Sequence, residues 1–203
     1  MEQQGNGLPQ RLKAATRELH ARAERSGVMA DLLSRTVERG AYVALLANLR
    51  AIYGAMESLP GGLLLPAALA RSAALAADLR AFGGTAPAVA PATLDYVQRL
   101  RSLHGADAHR LWAHVYVRCL GDLHGGQILG RLVRELFTLD GADGTRFYDF
   151  GDDDRVRGLR DALRTQLAAL PLDPAQAGEV VAEAVWAFEA HCRIFEQIRR
   201  SPA

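Results

Sequence analysis

The stretch YVRCLGDLHGGQILGRL, residues 116–132, follows the apolar periodicity of an amphipathic helix but contains four glycines. These are Gly121, Gly125, Gly126 and Gly130. Each glycine costs a helix interior about 1 kcal/mol relative to alanine, so the four together cost about 4 kcal/mol. Because a small domain is stable by only about 5–15 kcal/mol, this cost indicates that another body approaches the backbone closely here.

Two kinds of partner fit this glycine spacing. Gly121 and Gly125 lie on nearly the same helix face, and the second glycine pair repeats the spacing. One interpretation is close packing of another helix against small residues, and the other is a flat ligand against bare backbone. The adjacent glycines 125–126 favour a kink. Arg118 lies one turn before Asp122, at ion-pair spacing that packing alone does not require.

The composition is that of an ordinary soluble globular protein. The chain has 203 residues, of which 49% are hydrophobic and 23% charged, and its net charge of +1 gives no reason to expect nucleic acid. The polar N-terminus lacks the apolar core of a signal peptide. Residues 63–79 are too interrupted by proline and charges for membrane insertion. Cys119 and Cys192 lie in helical patterns without metal-ligand spacing, which predicts reduced thiols and a cytoplasmic protein.

The apolar spacing predicts helices almost throughout, with residues 1–7 disordered. No segment shows sustained alternation with period two, so we expect an all-α fold, a single domain over residues 1–203 with about eight helices. A loop is expected at 81–93, a turn at 140–144, and helix caps at Thr93 and Asp152. The predicted helices span residues 8–24, 39–59, 64–81, 94–103, about 107–139, 153–169, and from the PLDP segment (171–174) to about 199.

The first predicted helix contains a face that suits a haem iron. In LKAATRELHARAE (12–24), Lys13, Thr16, His20 and Glu24 share that face. A neutral imidazole on a rigid helix is a good axial ligand, and Glu24 can accept the other ring N–H and fix the tautomer. Lys13 can reach an anionic group at the haem edge. A surface histidine on an amphipathic helix is the alternative, and this helix alone favours it.

Together, LKAATRELHARAE and YVRCLGDLHGGQILGRL resemble the haem oxygenases. IYGAMES (52–58), RFYDF (146–150) and EAVWAFEAHCRIFEQI (183–198) resemble further segments of that family, so the resemblance covers most of the chain. It implies haem b held between a proximal and a distal helix, as both cofactor and substrate. It also implies O2- and electron-dependent cleavage of haem to biliverdin, Fe2+ and CO.

The resemblance assigns roles to individual positions. His20 matches the iron ligand, and Glu24 matches its neighbour. The other matching residues line the distal face of the haem, order distal water, or hold the haem propionates. The glycines of the distal helix are Gly121, Gly125 and Gly126; the water-ordering network is Tyr53, Arg118 and Asp122; the propionate-binding cations are Lys13, Arg160 and Arg164. The two arginines also fit a solvated helix face.

Several histidines depart from this pattern. His124 stands where the family usually has Ser or Thr, and His191 where it often has Asn. We expect both beside the site or at the surface, although His124 can also join the distal water or occupy the sixth iron position. His104, His109 and His114 are expected to be solvated or boundary residues, because their spacing does not match a closed metal site.

Electrons must come from another protein, because the chain has no βαβ pattern for a flavin or nicotinamide. The resemblance implies a ferredoxin or a flavoprotein reductase, and a bacteriophytochrome is a candidate biliverdin acceptor. Three rivals stay open: a non-enzymatic haem carrier or sensor on the same scaffold, a thiaminase-like hydrolase, and a helical interaction protein that binds no haem. The hydrolase needs a nucleophile, for which Cys119 and Cys192 lie in poor, apolar contexts.

Overall fold

The computed structural model describes residues 7–59, 65–83 and 87–200, and no β-strand occurs among them. The α-helices are α1 (Leu8–Glu24), α2 (Gly27–Leu33), α3 (Arg39–Glu57), α4 (Ser72–Ala81), α5 (Pro91–Ser102), α6 (Leu111–Val115), α7 (Gly121–Phe137), α8 (Asp153–Ala168) and α9 (Pro174–Arg200). Short 3-10 helices lie at Ala67–Leu69, Gly105–Arg110 and Arg146–Tyr148, and a π-helical turn at Tyr116–Leu120 joins α6 to α7. The prediction of an all-α fold is confirmed.

Most predicted helices are present near their expected bounds. The N-terminal helix agrees at both ends, and α8 begins where the aspartates predicted it, since the Asp152 carboxylate accepts a hydrogen bond from the backbone N of Arg155 at 2.8 Å. If α6, the π-helical turn and α7 are taken as one rod, the described ranges contain the expected eight helices. The predicted disorder of residues 1–6 lies outside the described residues. It does not hold for Gly7, whose carbonyl accepts hydrogen bonds from the first turn of α1.

The single helix predicted over residues 64–81 is wrong. Leu64 lies outside the described residues, and a 3-10 turn at Ala67–Leu69 precedes α4. The start of α4 is set by Glu57 on α3. Its carboxylate accepts hydrogen bonds from the backbone N of Arg71 and Ser72 at 2.7 and 2.9 Å. An acceptor from another helix therefore caps α4.

The cap predicted at Thr93 is also wrong. Helix α5 begins two residues earlier, at Pro91, which suits a first helical position because proline has no N–H to leave unpaired. Thr93 lies inside the helix and is fully buried. Its hydroxyl donates to Asn48 Oδ1 on α3 at 2.6 Å, and the backbone N of Ala90 donates to the same oxygen at 2.9 Å.

The glycine-rich helix is irregular at a different place from the one expected. Its π-helical turn lies at Tyr116–Leu120, immediately before Gly121, whereas α7 runs through the adjacent glycines 125–126 as regular α-helix. The helix ends at Phe137, where Thr138 adopts a left-handed conformation with φ of 50°. Because π-helical turns are rare and often lie at functional sites, this position draws attention to the first turns of α7.

Helix α9 lies at the centre of the fold. Helices α1, α2, α5 and α6 pack against it, and α3 packs on α4 and α5. The described helices share one apolar core, whose largest fully buried side chains include Tyr42, Tyr53, Tyr96 and Phe147. A single domain over the whole chain stays a prediction. None of the helices in residues 7–59, 65–83 and 87–200 is both long and apolar enough to cross a bilayer.

The corner between α1 and α2 is pressed onto α9 at Gly27. This residue has φ of +44°, and a Cβ there would overlap the carbonyl group of Phe195. The backbone N of Gly27 also donates to Glu196 Oε1 at 2.9 Å. Only glycine fits both the backbone conformation and the close approach, so the corner fixes the end of α1 on α9.

We expect Gly27→Ala to lower the free energy of unfolding by about 3 kcal/mol or more, because strain at positive φ adds to steric overlap. Gly158 in α8 is the matched control. A Cβ there meets no heavy atom within 4 Å in the described residues beyond its own helix backbone and chain neighbours, so Gly158→Ala should raise stability by about 0.5–1 kcal/mol. Urea denaturation followed by circular dichroism measures both. Equal effects of the two substitutions would contradict the close contact at Gly27.

Candidate functional site

His20 lies near the end of α1, beside Glu24. The Nδ1 atom is 3.5 Å from Glu24 Oε1, and the side chain is 55% exposed. The imidazole meets Phe188 of α9 edge-on, with ring centroids 5.9 Å apart. Since Nδ1 faces a carboxylate, Nε2 is the ring nitrogen that can bind a metal. Glu24 thus lies beside the ring nitrogen of His20 that its predicted role concerns.

Two adjoining cavities meet at His20. The first, called the apolar cavity, has a volume of about 370 Å3 and is walled mainly by aliphatic and aromatic side chains of α2, α3, α7 and α9. The second, called the basic cavity, has a volume of about 460 Å3 and is lined by Lys13, Arg17 and Arg164. Both volumes lie in the range of about 300–1,000 Å3 that small-molecule sites occupy. The walls that the cavities share are His20, Val117, Gly121, His124 and Phe188.

Gly121 and Gly125 present bare backbone to the apolar cavity. Beyond the helix backbone and chain neighbours, a Cβ at Gly121 would meet no heavy atom of the described residues within 4 Å, and one at Gly125 would meet only Leu129 Cδ1 at 3.9 Å. Packing within the described protein therefore does not explain these two glycines. Their bareness keeps room in the cavity, as a flat ligand requires.

Gly126 and Gly130 face the other way, toward the 3-10 turn at Arg146–Tyr148. A Cβ at Gly126 would lie 3.4 Å from the carbonyl oxygen of Tyr148, and one at Gly130 would lie 3.1 Å from Tyr148 Cβ. The assignment of Gly126 to ligand binding is therefore corrected: it does not line either cavity, and its lack of a side chain serves close packing. The packing interpretation therefore holds for Gly126 and Gly130, whereas Gly121 and Gly125 leave the open face that the ligand interpretation requires.

A buried polar network stands at one wall of the apolar cavity. The hydroxyl of Tyr53 donates to Asp122 Oδ2, and Arg118 Nη2 donates to Asp122 Oδ1 at 2.5 Å. Arg118 and Asp122 are only 10% and 11% exposed, and Tyr53 is fully buried. Tyr53 of α3 and Arg118 of the π-helical turn, predicted to act with Asp122, thus both contact its carboxylate directly.

The charges in this network are coupled. Burial raises the pKa of Asp122, although Arg118 and Tyr53 oppose the rise by stabilising the carboxylate. Burial also raises the pKa of Tyr53 well above its ordinary value, and the Asp122 charge adds to the effect. Burial alone would lower the pKa of Arg118, but Asp122 raises it. Tyr53 and Arg118 therefore keep their protons and serve as fixed donors to Asp122.

His191 faces the apolar cavity and is 2% exposed, so of the two expected positions it takes the one beside the site and not the one at the surface. Its Nδ1 donates to the carbonyl of Ala187 at 2.7 Å, which leaves Nε2 as an acceptor. His191 Nε2 and Arg118 Nε are both buried without a hydrogen-bond partner in the part of the chain that the structure describes. Buried polar atoms of this kind usually bind ordered water.

The three histidines before α7 do not form one solvated set. His104 is exposed, as expected. His114 is fully buried, which corrects the prediction: its Nδ1 lies 2.7 Å from Tyr96 Oη, and its Nε2 lies 3.3 Å from Glu183 Oε1. His109 is bonded to a glutamate of α9. Although burial acts in the opposite direction, the hydrogen bonds from Arg99 and the nearby His114 ring lower the pKa of Glu183 to about 2. Within the described ranges, no cluster of three or more His, Cys, Asp or Glu side chains could hold a metal ion.

The predicted propionate-binding cations separate in the structure. Lys13 and Arg164 line the basic cavity together, whereas Arg160 lines neither cavity and its Nε atom is buried. Arg160 lies one turn of α8 before Arg164, and among the described residues of α8 it is Arg164 that lines the basic cavity. Arg17 takes part instead. Its position one turn after Lys13 was the signal that could have identified it.

The ring of His124 is held at both nitrogens. Nδ1 lies 2.6 Å from the carbonyl oxygen of Leu120, which only accepts, so Nδ1 carries the hydrogen. Nε2 then accepts from Arg164 Nη2 at 3.0 Å. Both ring nitrogens of His124 are therefore occupied. In this arrangement His124 has no free nitrogen with which to take the sixth iron position.

The cysteines do not supply a nucleophile. Cys119 and Cys192 are free and buried, and burial raises the pKa of Cys119 to about 12. A thiol with so high a pKa is protonated at neutral pH and unreactive. The geometry therefore does not support the thiaminase-like hydrolase.

Comparisons with known proteins agree with one another. A family model described as heme oxygenase matches residues 6–197. Heme oxygenase of Pyropia yezoensis is 34% identical, over 97% of this chain and 87% of its own length. The solved structure of heme oxygenase-2 from Synechocystis sp. PCC 6803, in complex with heme and NO, aligns with a TM-score of 0.88 and 31% identity, over 95% of this chain and 85% of that one. Heme oxygenase from Leptospira interrogans aligns with a TM-score of 0.85 and 32% identity, over 94% of this chain and 98% of that one.

His191 makes the stability of the ligand-free protein depend on pH. Burial lowers the pKa of His191 to about 3, whereas a histidine in the unfolded chain titrates near about 6.5. Between these values acid therefore protonates the unfolded chain preferentially, and stability falls as the pH falls. We expect His191→Asn to make the decline between about pH 6 and 4 shallower, by up to about 1.4 kcal/mol per pH unit. Urea denaturation at several pH values measures the slope. His104→Asn is the exposed control, and equal slopes for wild type and His191→Asn would refute the explanation.

Proposed function

Because this chain belongs to the haem oxygenase family, whose members are enzymes that degrade haem, we propose that it binds haem b between His20 and the bare backbone of Gly121 and Gly125. Haem is both cofactor and substrate, and the products are biliverdin, Fe2+ and CO. The observation that carries this proposal is that His20 and Gly121 are shared walls of the two adjoining cavities. An imidazole and uncovered main chain thus border the same space.

The residues present fit a haem. The apolar cavity suits the macrocycle, and Lys13, Arg17 and Arg164 suit its two carboxylates. When bound, the haem iron supplies the place where O2 is activated. His20 would hold the iron through Nε2, and Glu24, 3.5 Å from Nδ1, would accept the other ring N–H and fix the tautomer. Gly121 and Gly125 present no side chain to the cavity, so neither would compete with a small molecule for the iron.

Protons reach the cavity through water held by Asp122. Both carboxylate oxygens accept hydrogen bonds, from Tyr53 and Arg118, so the carboxylate has one fixed orientation. Its remaining lone pairs can accept from water at the cavity wall. Arg118 Nε and His191 Nε2, a buried donor and a buried acceptor, supply further positions for water. Asp122, Arg118 and Tyr53 would thus hold water and move protons at this wall of the apolar cavity.

The finer details of the biological setting are also proposals. An acidic ferredoxin or a flavoprotein reductase supplies electrons, and the cations of the basic cavity favour such a donor by electrostatic attraction that salt weakens. A bacteriophytochrome is the proposed biliverdin acceptor. The free, buried thiols of Cys119 and Cys192 support a reducing compartment, the cytoplasm.

A haemin titration tests the proposed function. We expect stoichiometric binding with a Soret band, followed by loss of that band and release of biliverdin and CO when reductant and air are added. His20→Ala should abolish turnover because the axial nitrogen is lost, and added imidazole should restore part of it. His104→Ala, at an exposed position, should behave as wild type. A Soret band that persists in the wild type under turnover conditions would instead identify a carrier.

The two pairs of glycines give opposite expectations. Gly121→Ala should stabilise the ligand-free protein by about 0.5–1 kcal/mol, because alanine is the better helix former and nothing crowds it. It should also weaken haemin binding by roughly tenfold or more, because the methyl group enters the cavity. Gly130→Ala should lower stability by about 1–3 kcal/mol by crowding Tyr148, with haemin affinity unchanged. Urea denaturation and optical titration of both variants measure these effects; the same pattern in both would contradict the division of the glycines.

A further inference from the structure

We propose that His124 is a positioning residue that holds Arg164 at the wall of the basic cavity, and thereby sets the in-plane orientation in which the porphyrin binds. The inference rests on the proposed function, because it concerns the same site. It assigns a role to a side chain at the glycine-rich turn of α7 that neither binds the iron nor bonds to Asp122. It also bears on which meso carbon of the ligand faces Gly121.

The first support is the geometry of the His124 ring. Leu120 and His124 are one turn apart on the same rod, and the hydrogen bond from Nδ1 to the Leu120 carbonyl ties the ring to its own helix. This bond also selects the tautomer, since Nδ1 must be the protonated nitrogen. Nε2 is then an acceptor whose position is set by the backbone of α7.

The second support is the position of Arg164. This arginine belongs to α8, and its Nη2 donates to His124 Nε2 at 3.0 Å, which links α8 to α7. Its Nη1 lies 3.7 Å from Asp161, on its own helix. The side chain is 49% exposed, so without the histidine only Asp161, on its own helix, would restrict the arginine among the described residues, and nothing there would hold it toward α7. His124 thus restricts the guanidinium to the cavity wall, with N–H groups left for a carboxylate.

The third support is the charge of the cavity that both residues line. Lys13, Arg17 and Arg164 lie around it, and no Asp or Glu side chain is among its walls in the described residues. A cavity with this lining suits a carboxylate-bearing edge of a ligand. Of these three cations, Arg164 is the one that is hydrogen-bonded to α7, the helix that contains Gly121. The position of its guanidinium is therefore fixed relative to the bare backbone of Gly121.

The consequence follows from the shape of the ligand. A porphyrin disc can rotate about its own normal, and apolar walls distinguish poorly between the rotated positions. A cation fixed relative to α7 favours the rotation that brings a carboxylate to it, and this rotation determines which edge lies near Gly121 and Asp122. A serine at position 124 would not reach Arg164 from α7, which would leave Asp161 as the partner of the guanidinium.

The test compares His124→Ser, Arg164→Ala, the double variant and His124→Gln, which keeps an acceptor. The matched control is Arg157→Ala, because Arg157 also lies on α8 and pairs with the aspartate three residues before it, Asp154, at 2.9 Å, but lines neither cavity. Affinity is measured with zinc protoporphyrin, which binds without turnover, and with its dimethyl ester, which lacks free carboxylates. Nitrogen-15 NMR of the ligand-free protein reports the His124 tautomer, and chromatography of the products reports the biliverdin isomers.

We expect His124→Ser and Arg164→Ala each to weaken zinc protoporphyrin binding by roughly three- to tenfold, as for a partly exposed charged contact. The double variant should lose no more than the larger single loss, and His124→Gln should retain most of the affinity. The losses should vanish with the dimethyl ester, and both single variants should change the isomer composition in the same direction. Arg157→Ala should match wild type throughout.

Additive losses in the double variant, losses that persist with the ester, or wild-type affinity and isomer composition in His124→Ser would overturn the inference. A His124 ring protonated at Nε2 alone would do the same. These failures differ from failure of the proposed function, in which the wild-type protein itself binds no porphyrin or releases no biliverdin.

Discussion

The packing of α1 along α9 is the contact on which the site depends. It brings His20 against Phe188 and places the imidazole across the cavities from Gly121, which belongs to a different helix far away in the chain. The corner at Gly27 secures this arrangement, since its backbone lies against the carbonyl of Phe195 with no room for a side chain. If α1 moved relative to α9, the imidazole of His20 and the bare backbone of Gly121 would no longer border one space. A glycine outside the site thus holds the two walls of the site in position.

The glycine-rich turn of α7 combines two constraints that have the same appearance in sequence. One pair of glycines leaves space open toward the cavities, and the other pair permits close packing on Tyr148. The energetic consequences differ. For Gly126 and Gly130, packing contacts with Tyr148 offset the free-energy cost of glycine in a helix. Gly121 and Gly125 make no such contacts. Their cost of about 1 kcal/mol each is offset only when a ligand that binds the folded state is present. The ligand-free protein is therefore less stable than its helices permit.

Buried charge follows the same division between stability and function. Arg118 and Asp122 are almost completely buried. For such a pair, the free-energy cost of removing two ions from water can exceed the attraction between them. Hydrophobic residues would fill that wall at lower cost. The pair and Tyr53 instead leave a polar wall on an otherwise apolar cavity, with Arg118 Nε and His191 Nε2 lacking protein partners among the described residues. By contrast, His114, Glu183 and Arg99 pair with one another and with Tyr96, away from the cavities, and serve to join α5 and α6 to α9.

The sequence by itself determined the all-α class, most helix positions, and the presence of an imidazole and a bare helical face, because apolar spacing and glycine content are local properties. It also indicated the pair of Arg118 and Asp122 through their helical spacing, and Tyr53 only through resemblance to a family. The tertiary structure decided what depends on contacts between distant residues. It showed that the side chains of Glu57 and Asn48 accept hydrogen bonds from residues at the starts of α4 and α5, which are remote in sequence. It also showed that Gly126 packs against the protein and does not line the cavity. At the wall of the basic cavity, Arg17 is present and Arg160 is not. The contact of His124 with Arg164 belongs to this second group. Helical periodicity gives the face on which a side chain lies, but not which other helix that face meets.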